Sequence, residues 1–185
     1  MWLGGLVAVV VAIAAYAIYI YNSLVRNRQM VAEGWSGIDV QLKRRTDLIP
    51  NLLAAVKGYM AHEKTVLEDV AEMRSKAQTV QNADPETRAK AEGALSGALM
   101  RLNAVMENYP DLKASTNVMD FQKSLGDIED QIQLSRRYYN GAARNLNILV
   151  DSFPSNVIAS HFKFEKAQFF EIENAAERAV PKVEF

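Results

Sequence analysis

Residues 41–53 read Gln-Leu-Lys-Arg-Arg-Thr-Asp-Leu-Ile-Pro-Asn-Leu-Leu, and this stretch decides how the chain is organised. Three consecutive cations, Lys43 to Arg45, and Pro50 lie where apolar residues otherwise follow helical spacing. Proline removes one amide donor and presses its ring against the carbonyl four residues earlier, that of Thr46. A reversal here would need a loop, but apolar residues crowd both sides of the proline. We therefore predict a kinked, continuous helix, with Asp47 capping amides that the kink frees.

The same apolar spacing continues on both sides of the proline. Apolar residues recur at intervals of three, four or seven from Val31 to Val70. We therefore expect one helix from about Asn22 to about Val80, continuous with the apolar N-terminal segment. The first clear stop is the polar stretch at residues 81–87.

Two more long helices are predicted after this stop. Asp84-Pro85 is typical of a helix start, and the second helix extends to about Asn108. The third has the strongest pattern, an alternating three-four spacing that indicates coiled-coil-like packing. Phe153-Pro154 ends it, and a short helix begins at Ser155 or Asn156. The seam of the third helix consists of Val118, Phe121, Leu125, Ile128, Ile132, Ser135, Tyr139, Ala142, Leu146, Leu149 and Phe153.

The first 25 residues carry no charged side chain, and Trp2 to Tyr21 is almost purely apolar. A helix of this length spans about 30 Å, the thickness of a bilayer's hydrocarbon core. A cleaved signal peptide is the alternative, since Ala15-Tyr16-Ala17 is a small-x-small site. We favour an anchor because the basic n-region is missing and the run exceeds a usual h-region. Trp2, Tyr16, Tyr19 and Tyr21 are placed as interfacial aromatics.

Cations follow the apolar run, whereas no basic side chain precedes it. Arg26 and Arg28 come directly after it, so the positive-inside rule places the N-terminus outside and the C-terminal part in the cytoplasm. Gly4, Ala8 and Ala12 stand four residues apart, a stripe that lets two membrane helices approach closely. The stripe favours a homo-oligomer in the membrane lipid.

We divide the chain into a transmembrane anchor at residues 1–25, a helical-bundle domain at 26–153, and a short helix and tail at 154–185. Six of the seven phenylalanines lie in residues 153–185. This segment either caps the open end of the bundle or touches the lipid interface. The acidic last residues favour the cap, because an anionic leaflet would repel them.

Composition excludes several kinds of chemistry. The chain has no cysteine, which excludes disulfides, thiolate zinc sites and a cysteine nucleophile. Its 21 Lys and Arg balance 22 Asp and Glu, whereas nucleic-acid-binding domains are usually clearly basic. His62-Glu63 begins a zinc-protease motif, but Val66 stands where the second histidine is required. We therefore expect a protein that is not an enzyme and uses no metal, cofactor or nucleic acid.

Several irregular blocks of sequence are distributed along the chain. They include Trp35-Ser36-Gly37-Ile38-Asp39-Val40-Gln41-Leu42, Arg45-Thr46-Asp47-Leu48-Ile49-Pro50-Asn51-Leu52, Glu107-Asn108-Tyr109-Pro110-Asp111, Arg137-Tyr138-Tyr139-Asn140, Ser152-Phe153-Pro154-Ser155-Asn156 and Pro181-Lys182-Val183-Glu184-Phe185. With these signature blocks the chain resembles the bacterial LemA family over nearly its whole length. The resemblance implies a single-pass protein of the bacterial inner membrane with an up-and-down helical bundle, and it supplies no enzymatic activity and no cofactor. It also suggests a partner such as a membrane protease or another membrane protein.

Eight polar or aromatic residues of these blocks form a candidate interaction set. One interpretation is a hydrogen-bonded network that joins Asp39, Arg45 and Asp47 to Arg137 and Asn140 across two packed helices. The other interpretation is a docking surface for a partner. We favour the network, because paired charges at helix interfaces commonly fix register. The set consists of Trp35, Asp39, Arg45, Asp47, Asn51, Arg137, Tyr138 and Asn140.

These patterns together predict an all-α protein. A membrane helix continues into a long kinked helix, followed by two long helices and one short helix. The leading function is a membrane-anchored, non-enzymatic scaffold or adaptor that self-associates and presents a helical domain at the cytoplasmic face. The alternative is a regulatory subunit of a membrane protease or transport complex, and a third possibility is a hydrolase with an unrecognised site.

Overall fold

The computed structural model describes residues 2–60 and 62–171, and this part of the chain is all-α, as predicted. The tail beyond residue 171, with Phe185 and the closing Pro181–Phe185 block, lies outside the described residues. The helices are α1 (Trp2–Lys57), α2 (Lys64–Thr79), α3 (Pro85–Met106), α4 (Pro110–Lys113), α5 (Thr116–Asp151) and α6 (Ser155–His161).

The first helix continues through Pro50, as we predicted, but it does not reach Val80. It ends at Lys57, and α2 is a separate helix. If one helix ran to Val80, Thr46 and Arg74 would be about 42 Å apart, at 1.5 Å per residue. The Arg74 Nε instead donates a hydrogen bond to the Thr46 carbonyl at 2.9 Å. The chain therefore reverses between α1 and α2.

The break after Lys57 begins at Gly58. Apart from proline, glycine is the residue least favourable to a helix. The amides of Tyr59 and Met60 both donate to the Val56 carbonyl at 3.0 Å, a sharing of acceptors common at helix ends. Val56 of α1 and Val70 of α2 then lie in one apolar core. The apolar spacing continues across the reversal because both helices face this core. The regular apolar spacing therefore reflects the shared core and does not indicate a continuous helix.

Pro50 leaves the Thr46 carbonyl without its usual helical donor. The guanidinium of Arg74 on α2 replaces that donor at 2.9 Å. Asp47, which we expected to cap freed amides, accepts a hydrogen bond from Lys43 Nζ at 3.0 Å. A contact with a neighbouring helix thus satisfies the carbonyl that the proline leaves open.

The start of α3 follows the predicted signal. The Asp84 carboxylate accepts hydrogen bonds from the Thr87 amide at 3.0 Å and from the Thr87 hydroxyl at 2.6 Å. These bonds hold the pKa of Asp84 below its ordinary value. The helix ends at Met106, close to the predicted Asn108. The short helix α4, which starts at Pro110, was not predicted.

The seam predicted for the third long helix is largely buried along α5. Ten of its eleven positions are buried or half-buried. Phe153 is the exception, because it lies beyond the last residue of α5 and is 83% exposed. The apolar spacing correctly identified the buried side of the helix, and it failed only past the helix end.

The described chain forms two compact units, and both α1 and α5 contribute to each. Residues 2–38 and 135–169 form the first unit, and residues 39–134 with 170–171 form the second. In the first unit, α1 and α5 approach closely at Gly34, where a Cβ would lie 2.9 Å from the Tyr139 Cα. Only glycine fits there without moving backbone. The core of the first unit includes a cluster of Ile20, Leu24, Leu146, Ala159 and Phe164.

Within the described chain, α1 is the one helix that is long and apolar enough to cross a membrane. Its large apolar side chains from Trp2 to Tyr19 are exposed. Ile20 and Leu24, which we assigned to the anchor, are buried in the core of the first unit. The exposed stretch up to Tyr19 measures about 27 Å along the helix, close to the thickness of a hydrocarbon core.

The contact between Arg74 and the Thr46 carbonyl leads to a testable coupling. We expect Arg74→Met to lower the free energy of unfolding by about 1–3 kcal/mol, because a buried acceptor loses its donor. In a Pro50→Ala background the new amide of residue 50 can donate to the Thr46 carbonyl. Arg74→Met should then lower the free energy of unfolding clearly less. Chemical denaturation of the wild type, both single variants and the double variant in detergent measures this coupling. Lys76→Met, at an exposed position of α2, is the matched control. Equal costs of Arg74→Met in both backgrounds would refute the exchange of donors.

Candidate functional site

Arg45 is the most unusual residue of the second unit, because a full positive charge has no exposure to solvent. Arginine is almost never fully buried unless it is paired. It lies three residues after Leu42 and four before Ile49, both of which are buried. Helical spacing therefore places Arg45 on the buried stripe of α1. The sequence forces a cation into the core.

Two acids and a hydroxyl surround the Arg45 guanidinium. Its Nη1 donates to the Ser96 Oγ at 2.7 Å and to the Glu129 Oε1 at 2.5 Å. Its Nη2 donates to the Glu92 carboxylate and, at 3.3 Å, to the Glu92 carbonyl. Glu92 and Ser96 belong to α3 and Glu129 to α5, so one side chain of α1 connects three helices. We call Arg45, Glu92, Ser96 and Glu129 the arginine cluster.

Burial differs between the two acids of the arginine cluster. The Glu92 side chain is 3% exposed, whereas that of Glu129 is 36% exposed and reaches solvent. The planar fork of arginine suits two separate carboxylates better than the point charge of lysine would. The arginine cluster is a charge-paired junction between α1, α3 and α5.

A second ion pair lies one turn before Glu92 on α3. The Arg88 side chain is 4% exposed, and its Nη2 donates to the Asp39 Oδ1 of α1 at 2.5 Å. Asp39, Arg88 and Glu92 line a polar cavity of about 240 Å³ together with Lys43 and Gln78. In the described part of the chain, no group of three or more histidine or acidic side chains is arranged to hold a metal.

Aromatic residues of the signature blocks pack in the first unit. The rings of Trp35 and Tyr139 lie 5.4 Å apart. The Tyr138 hydroxyl donates to the Glu33 Oε2 at 3.2 Å, and partial burial, reinforced by Glu33, raises the pKa of Tyr138. The Tyr139 hydroxyl donates to the Gln168 carbonyl at 2.8 Å, and burial raises the pKa of Tyr139. These tyrosines are held as neutral hydrogen-bond donors.

Three members of the network that we expected, Asp39, Arg45 and Asp47, pair with other residues. Arg45 binds Glu92, Ser96 and Glu129, so the partners predicted for it were wrong. Asp39 pairs with Arg88 and Asp47 with Lys43. Asn51 and Arg137 are exposed, Tyr138 is 44% exposed, and Asn140 is half-buried. A common docking role for the set stays a prediction.

The sequence carried a signal for the missed residues of α3. Its apolar stripe, read backwards from Leu102 through Leu99 and Leu95, continues at the same spacing to Glu92 and Arg88. A charged residue in phase with an apolar stripe is expected to be buried and therefore paired. Arg45 has the same property on α1. The two stripes together predict that both residues are buried and paired, but they do not identify the partners.

Comparison with known proteins gives one family and several relatives. The LemA family matches residues 34–185. Magnetosome protein MamQ 2 of Paramagnetospirillum magneticum is 25% identical, over 92% of this chain and 72% of its own length. Protein LemA of Metamycoplasma hominis is 26% identical, over 84% and 72%. Magnetosome protein MamQ of Magnetospirillum gryphiswaldense is 22% identical, over 86% and 68%.

Replacing Arg45 alone should destabilise the fold strongly, and replacing Arg45 together with Glu92 should destabilise it much less. We expect Arg45→Met to lower the free energy of unfolding by about 3–5 kcal/mol, because it leaves a buried carboxylate uncompensated. Arg45→Met with Glu92→Leu should recover most of that loss, since Glu129 can reach solvent. Denaturant titration followed by circular dichroism measures the three proteins.

The neighbouring cation supplies the control for this experiment. Arg44 is exposed. Within the described residues its side chain donates one hydrogen bond, from Nη1 to the Gln41 Oε1 at 3.1 Å. Arg44→Met should therefore leave stability nearly unchanged. If the double variant were as unstable as Arg45→Met, the ion pair would not explain the burial of this residue.

Proposed function

Because the chain belongs to the LemA family, whose match covers residues 34–185, we propose that it is a membrane-anchored, non-enzymatic scaffold or adaptor. In this proposal it self-associates and presents its helical domain at the cytoplasmic face. The observation that carries the proposal is α1, one helix of 56 residues. Its apolar N-terminal part is exposed, and the rest of the same helix supplies core residues to both units.

The exposed apolar part of α1 requires a covering environment. Leu3, Leu6 and Ile13 are each at least 65% exposed, and such a continuous apolar surface is unfavourable in water. Lipid can cover this surface without leaving backbone polar groups unsatisfied, because the backbone hydrogen bonds lie within the helix. The apolar helix supports a membrane protein.

Retention of the N-terminal segment also fits the packing. The small-x-small site Ala15-Tyr16-Ala17 lies inside α1, a short distance before the buried Ile20. The uninterrupted helix from the apolar stretch into this core supports an anchor over a cleaved signal peptide.

Orientation and membrane type are proposed from charge and family. Arg26 and Arg28 directly follow the apolar stretch. We place the N-terminus outside and the helical domain in the cytoplasm of a bacterium, with α1 as a single pass through the inner membrane.

Self-association is supported by the small-residue stripe. Gly4, Ala8 and Ala12 are all exposed. A Cβ at Gly4 would meet no atom within 4 Å in the monomer. A second copy of α1 can therefore approach this side of the helix without displacing intramolecular contacts.

A regulatory subunit of a membrane protease or transport complex is the second candidate. It is favoured by Asn51 and Arg137, which belong to the signature blocks and are exposed. Exposed polar residues in irregular signature blocks are not needed for the core and suit a heterologous partner. Copurification with one membrane enzyme in fixed proportion would favour this candidate over the scaffold.

The proposed orientation predicts protection from external protease. In spheroplasts the domain that follows Arg28 should remain intact when protease is added outside, because it lies in the cytoplasm. Permeabilising the membrane should expose the domain to digestion, which serves as the positive control. Digestion of the domain in intact spheroplasts would contradict this orientation and place the domain outside.

The stripe predicts an oligomer that depends on Gly4 and Ala8. Native mass measurement in mild detergent should show a homo-oligomer for the wild type and mainly monomer for Gly4→Leu and Ala8→Leu, because a large side chain separates the helices. Ala14→Leu is the matched control, since Ala14 is exposed and lies about 120° around the helix from the stripe. A strictly monomeric wild type over a wide concentration range would reject the scaffold and favour the regulatory subunit.

A further inference from the structure

The outer side of α6 and its flanks is strongly apolar. Phe153 is 83% exposed, Val157 57% and Phe162 52%. The inner side of the same segment is packed, with Ala159 and Phe164 in the core of the first unit. Three large apolar side chains within ten residues of one segment thus remain uncovered in the monomer. We call Phe153, Val157 and Phe162 the α6 apolar surface.

The α6 apolar surface lies beside the end of the apolar stretch of α1. The Phe162 ring is 4.8 Å from the ring of Tyr21, and the Phe164 ring is 5.8 Å from it. Tyr21 is the last residue of the apolar N-terminal run. Phe164 also shares its core with Ile20 and Leu24, the first residues of α1 that are buried. The level of α6 along α1 is therefore the level at which α1 would leave a bilayer.

Cations surround this level of the first unit. The Arg28 guanidinium lies over the Phe164 ring at 5.1 Å from its centroid. Arg26 and Lys163 are exposed. Lys166 is paired with Asp151 at 2.7 Å, so these two charges largely cancel. Aromatic rings with adjacent cations are typical of segments that lie in the headgroup region of a membrane.

We propose that α6 docks on the lipid headgroup region beside the membrane span, with the α6 apolar surface inserted among the upper acyl chains. This inference rests on the proposed membrane span of α1. Lipid is the occupant because the surface is continuous with the apolar stretch of α1 through the contact between Tyr21 and Phe162. The span and α6 then hold the first unit to the membrane at two places.

The two explanations of the phenylalanine-rich segment apply to different residues. Phe164 and Phe170 are buried, as a cap requires. Phe153 and Phe162 are exposed and face the proposed lipid surface. Burial of the first pair fixes the backbone that presents the second pair.

Depth measurement by fluorescence quenching tests the docking. The chain has no cysteine, so single substitutions can be labelled selectively. Full-length Val157→Cys and Phe153→Cys, each carrying an environment-sensitive fluorophore, are reconstituted in vesicles of phosphatidylcholine with phosphatidylglycerol. The quenchers are lipids with a nitroxide near the headgroup. Leu134→Cys is the matched control, because Leu134 is 50% exposed on α5 and lies about 26 Å along the helix before its end.

We expect quenching at Val157 and Phe153 to be several-fold stronger than at Leu134. Equal quenching at the three positions would overturn the inference. A blue-shifted but unquenched label at Val157 would overturn it as well, because protein rather than lipid would then cover the surface. Labelled Val9→Cys with a nitroxide deep in the acyl chains reports on the span itself. Quenching at Val9 without quenching at Val157 rejects only the docking of α6, whereas no quenching at Val9 rejects the span and the docking together.

Discussion

A guanidinium without access to water must find its counter-charges inside the protein, and Arg45 imposes this constraint on the second unit. It draws Glu92 and Ser96 from α3 and Glu129 from α5. The next residue of α1 presents the Thr46 carbonyl that Pro50 leaves open, and Arg74 of α2 fills that position. Two adjacent residues of α1 thus bind polar groups from three other helices. Apolar packing alone would allow these helices to slide by a turn, but the polar contacts penalise such a shift.

The arginine cluster contributes more to register than to net stability. Desolvation of a buried ion pair consumes much of the Coulomb attraction, so apolar replacements can be equally stable. A helix shifted by one turn would leave Glu92, which is 3% exposed, without its cation. That penalty is large because a buried unpaired charge has no solvent to compensate it. The cluster therefore selects one arrangement among the many that the apolar stripes of α1, α3 and α5 permit.

Sequence reasoning succeeded where the cause was local. The passage of α1 through Pro50, the Asp84 cap of α3 and ten positions of the α5 seam all follow from nearby residues. It failed at the break after Lys57, because apolar residues on both sides face the same core and hide the reversal. It also failed at the partners of Arg45, which lie 47 and 84 residues away. Spacing shows which side chains are buried but not which ones meet across a core.

The same helix links this junction to the proposed membrane site, since α1 carries both the exposed apolar stretch and Arg45. The central claim is that Arg45 holds the helices of the second unit in register. Hydrogen–deuterium exchange of Arg45→Met, with Arg44→Met as the control, tests it most directly. We predict faster exchange in Arg45→Met within α3 and the second-unit part of α5, and no such change in Arg44→Met. Faster exchange confined to the residues of α1 next to position 45 would contradict the account.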